Sequence, residues 1–96
     1  MSTQIKSTQV MMLTVGVAEV FHRPTESGAI TIAVNPGSGG TVIVETMTAA
    51  GGTWIPVSDG NLTGNLSESV SDVLTSALYA VRFLASGAPA TIELAW

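Results

Sequence analysis

The chain has 96 residues, no cysteine, 46% hydrophobic residues and only 10% charged ones. That suits one small domain and excludes disulfide stapling, thiolate catalysis and cysteine-rich zinc sites. Its net charge is −4 and its cations are Lys6, Arg23 and Arg82, too few and too scattered for the phosphate contacts of a nucleic-acid binder.

An ordinary domain is about 25% charged. Depletion of charge marks the centre of protein–protein interfaces, so the composition predicts a chain that covers much of its surface with other subunits. The plainer alternative is a surface made of its abundant Ser, Thr and Gly. No apolar run nears the roughly 18 residues of a membrane span. Residues 10–18, the stretch most like the apolar part of a secretion leader, are few and are interrupted by Thr14 and Gly16.

In chain order, residues 1–10 are polar, with Ile5 and Val10 as their apolar anchors. They predict an N-terminal arm or an edge strand ahead of a single domain over 11–96. Two strands of unclear register are expected at 9–15 and 17–22, followed by a turn cluster at 23–28. Residues 29–34 alternate, with Ile30, Ile32 and Val34 on one face and Ala29, Thr31 and Ala33 on the other. A loop at 35–40 holds Pro36 and three glycines. The run 41–48 then sets Val42 and Val44 against Ile43, Glu45 and Met47, and antiparallel pairing of these two runs is expected.

Turn residues at 49–52 precede a short strand at 54–57, and another turn cluster fills 58–64. Residues 67–77 fit a short helix as well as a strand, because apolar residues recur at Val70, Val73, Leu74 and Ala77 and Asn65 with Glu68 resembles a capping box. The run 78–85 places Tyr79, Val81 and Phe83 inward, a turn follows at 86–89, and 91–96 closes the chain with Ile92, Leu94 and Trp96 on one face. Short strands between Gly/Pro/Asn clusters predict an all-β protein, a small antiparallel sandwich of jelly-roll-like or Ig-like form.

The predicted core is Ile30, Ile32, Val42, Val44, Trp54, Val81, Phe83, Ile92 and Leu94. Several strands are apolar on both faces, and one sandwich has one core. A subunit or partner interface is therefore expected at Ile5, Val10, Ile43, Met47, Leu78 and Leu84.

No catalytic, cofactor or metal site is expected. His22 is the sole histidine and reads as a solvated strand end. The seven acids, Glu19, Glu26, Glu45, Asp59, Glu68, Asp72 and Glu93, read as solvated faces. Asp59-Gly60-Asn61 lacks the ligand spacing of a calcium loop. Gly37-Ser38-Gly39-Gly40 lacks the lysine and following helix of a phosphate loop. Asn61-Leu62-Thr63 and Asn65-Leu66-Ser67 match the glycan acceptor pattern, which acts only in a eukaryotic secretory pathway. Trp54, Tyr79 and Trp96 read as core or interface aromatics in preference to sugar-stacking platforms.

Thr41-Val42-Ile43-Val44-Glu45, Gly52-Thr53-Trp54 with Pro56-Val57, Ala80-Val81-Arg82-Phe83 and Ile92-Glu93-Leu94 form an ordered set of strands. From about Ala29 to Trp96 this pattern resembles the small β-sandwich decoration (cement) proteins of tailed-bacteriophage capsids. The resemblance implies a non-enzymatic dimer or trimer, made in the host cytoplasm and seated on the capsid exterior. Its partners would be the major capsid protein and itself, with no nucleic acid, membrane or cofactor. A tail, neck or fibre component and a carbohydrate- or ligand-binding β-module are the competing expectations.

Overall fold

The computed structural model describes residues 7–24, 29–57, 60–74 and 79–96. Period-two alternation sets the strands. They are β1 (Thr8–Leu13), β2 (Glu19–His22), β3 (Ile30–Pro36), β4 (Thr41–Met47), β5 (Ile55–Pro56), β6 (Asn65–Leu66), β7 (Val70–Leu74), β8 (Ala80–Ser86) and β9 (Ala90–Ala95). A 3-10 turn, Gly60–Leu62, lies between β5 and β6.

The pairing has the form of a ribbon doubled back on itself. β1 pairs with β9, β2 with β8 and β3 with β7, while β4 pairs with both β5 and β6, all antiparallel. The ribbon steps from one sheet to the other after each of its first three strands and is rolled so that β9 also pairs with β3 and β8 with β4. The outcome is one sheet ordered β1-β9-β3-β7 and another ordered β2-β8-β4, with β5 and β6 sharing the edge beside β4. This is a jelly roll. It bears out the expectation of an all-β sandwich and selects the jelly roll over the Ig-like form.

The core lies between the sheets. Ile30, Ile32 and Val34 face Val42 and Val44, Val81, Phe83 and Ala85, with Ile92 and Leu94 beside them, all buried. Leu13, Phe21, Leu62 and Leu66 belong to it as well, with Met11, Val57 and Ala90. Among the described residues no polar or charged side chain is buried, so nothing inside requires a hydrogen-bond partner.

Three expectations are corrected and one open choice is resolved. First, runs 29–34 and 41–48 do not form a hairpin, because β3 and β4 lie in different sheets. Their connection crosses the end of the sandwich beside the oppositely directed crossing from β8 to β9. A side chain at Gly37 would strike the Pro89 carbonyl, and one at Gly40 would meet Ala88 and the Ser86 carbonyl. The glycines serve this close contact.

Second, of the helix and the strand that both fit residues 67–77, the described residues 70–74 form the strand. Val34 and Ile32 of β3 stand opposite Val70 and Asp72, and pairing to an open strand edge outweighs weak helix propensity. Third, Trp54 is only half-buried and stands outside the core cluster, because its ring covers Arg82 on the outer face. Fourth, Tyr79 is exposed. It precedes β8, its amide donates to the Met47 carbonyl, and its ring stands edge-on to that of His22, 5.4 Å away.

Candidate interaction surfaces

Among the described residues every polar and charged side chain lies outside the core, on the outer faces, the sheet edges and the connections. On the β2-β8-β4 sheet, the register sets Val20, Arg82, Glu45 and Pro56 in one row and His22, Ala80 and Met47 in the next. Leu84 lies beside Ile43 in a third row. Arg82 donates from Nη2 to Glu45 Oε1 at 2.6 Å and from Nε to the same oxygen at 3.0 Å. Its guanidinium also sits 4.7 Å from the centre of the Trp54 ring. The half-buried pair satisfies both charges, and the ring contact fastens the β4–β5 connection over the sheet.

Ile43, Met47 and Leu84 are half-buried among these neighbours, so much of their apolar area is covered by the chain itself. Ile5 and Leu78 lie outside the described residues, as do Glu26 and Asp59.

The outer face of the β1-β9-β3-β7 sheet is different. β1 presents Thr8, Val10 and Met12, β9 presents Thr91, Glu93 and Ala95, and β3 presents Thr31, Ala33 and Asn35. Val10 is 61% exposed and Met12 73%. Small residues at the centre leave a shallow groove of about 310 Å³, lined in part by Val10, Thr31, Ala33, Glu93 and Ala95. Val10 was named from the sequence. Met12 was not, although its place two residues further along the same strand is the signal that would have found it.

Among the described residues no group of three His, Cys, Asp or Glu side chains is placed to hold a metal ion. His22 is exposed on the edge strand β2. Asp72 acts structurally: its carboxylate accepts from the Asn61 and Val73 amides, each at 2.7 Å, and so ties the 3-10 turn to β7. Those two bonds favour the charged form and hold its pKa below the ordinary value, the Asn61 bond contributing most.

The fold and its surfaces thus define a small jelly-roll domain with one sparsely charged open face. Comparison with protein families, curated proteins and solved structures finds no match to the chain.

Proposed function

We propose that this chain is a non-enzymatic virion structural protein of the capsid-decoration type, which attaches to the outside of the shell through the major capsid protein and through copies of itself. The observation that carries this reading is the open face of the β1-β9-β3-β7 sheet. Val10 and Met12 stand exposed there among Thr, Ala and Asn side chains, with Glu93 as the charge on its three long strands. Such a face offers contact area with little charge to desolvate.

A sugar-binding module would need an open aromatic ring with convergent polar groups. Here the Trp54 ring carries Arg82, and the Tyr79 ring packs on His22.

The test is to purify particles of the virus that encodes the chain, count copies of it per particle, and locate it with gold-labelled antibody. Many copies spread over the shell, and a lower disruption temperature for shells lacking it, are expected. Absence from particles would overturn the proposal. Label confined to the tail or neck would assign the competing virion role.

A further inference from the structure

We propose that the free edge of β1 pairs antiparallel with the same edge of a second copy, joining two four-stranded sheets into one. This rests on the self-association proposed above and adds where and how two copies meet.

Ser7 and Trp96 exchange both of their backbone hydrogen bonds at 2.9 Å. In an antiparallel ladder such exchanging pairs alternate with non-bonded ones, so Gln9, Met11 and Leu13 bond to β9. The N–H and C=O groups of Thr8, Val10 and Met12 therefore point away from it. Among the described residues nothing meets them. What satisfies a row of outward donors and acceptors is another strand.

The other three edges are blunted, as native edges usually are. β2 has four residues and begins with Glu19. β5 and β6 have two residues each, and β5 contains Pro56. β7 carries Asp72, which takes the Val73 amide and holds the 3-10 turn. β1 alone is six residues, Thr-Gln-Val-Met-Met-Leu, without charge, proline or glycine.

A second copy fits this edge for two reasons. In a chain of net charge −4, an acid on a self-pairing edge near the two-fold axis would meet its own image, and β1 has none. The alternation also closes on itself: with Val10 opposite Val10, Thr8 stands opposite Met12, and about six backbone hydrogen bonds form with the exposed apolar side chains on one face. The nearest acid, Glu93, lies one strand further in, opposite Val10. Its image is then three strand spacings away, about 14 Å, which is beyond the screening length of about 8 Å at physiological salt.

The full chain is tested by sedimentation at high micromolar concentration. A species of about 20 kDa is expected, twice the 9.8 kDa chain; a monomer or a trimer would overturn the proposal. The chain has no cysteine, so Val10→Cys gives a clean second test. Facing Cα atoms about 5.5 Å apart lie within disulfide reach, and oxidation should link the variant into dimers while Val73→Cys on β7 stays unlinked. Equal linking of the two would also overturn it.

Val10→Pro removes an outward N–H and leaves the β9 ladder intact, so it should give a folded monomer. Met12→Lys supplies the same test if the proline variant fails to fold, and a folded Met12→Lys variant that stays dimeric counts against the pairing. Dimers linked through Val10→Cys that never bind particles would leave this inference standing and remove the decoration reading. A monomer that binds particles would do the reverse.

Discussion

Trp54 illustrates how a single residue's role depends on which face it covers. Because its ring lies over Arg82 on the outer face, Trp54→Ala leaves the core filled and should cost about 1–2 kcal/mol in chemical denaturation. Phe83, wholly buried between the sheets, should cost about 3–5 kcal/mol when cut to alanine. A Trp54 variant as unstable as the Phe83 one would show that the aromatic is structural after all. Asp72 contributes a pH dependence of its own. Its folded-state pKa is depressed by the Asn61 and Val73 amides. The stabilisation is therefore complete above the unfolded-state pKa and is lost as pH falls through the lower folded one. In acid the Asn61 and Val73 amide resonances should shift together, with faster hydrogen exchange, and Asp72→Asn should abolish this titration and leave the clip weakened at every pH. Gly60 belongs to the same clip. Its φ is +77°, and a side chain there would strike the Asp72 carboxylate. Gly60→Ala should therefore destabilise the chain by about 1 kcal/mol or more, which thermal melting would detect.

At the scale of elements, alternation identified strands but not their partners. Ile30, Ile32 and Val34 share a face by period two alone, and their burial follows directly. Whether that strand turns back on 41–47 or crosses to the other sheet depends on contacts that no local pattern encodes. The glycines read as a flexible loop instead let the β3–β4 connection nest against the β8–β9 one. Gly40→Val should therefore destabilise strongly, whereas Ser38→Val, on the exposed outside of the same turn, should change melting little. β7 makes the same point. Val70, Val73 and Leu74 fit a helix by spacing, yet the open edge of β3 offers hydrogen bonds along its length, and the strand wins. Leu62 and Leu66 were missed because they sit in a polar, glycine-containing stretch. The 3-10 turn folds Leu62 into the core, where it is fully buried. Two leucines four apart in an otherwise polar loop were the available signal.

For the whole molecule, the polar side chains of the described residues lie at the surface, and the two sheets differ in what their outer faces expose. On the outer face of the β2-β8-β4 sheet, side chains cover one another around the Arg82–Glu45 pair. The outer face of the other sheet stays open. Double mutation of Arg82 and Glu45 should therefore alter stability and leave assembly unchanged, while changes at Val10 or Met12 should do the opposite; size-exclusion profiles beside melting curves would separate the two. The amino-acid sequence by itself determined the all-β class, the alternating core positions in β3, β4, β8 and β9, and the scarcity of charge. These are properties of composition and of a two-residue period, both local. Only the tertiary structure decided the jelly-roll order, the outward place of Trp54 and Tyr79, and which apolar face remains open. Those depend on which strand lies beside which, and pairing between residues distant in the chain is set by the packing of all of them at once.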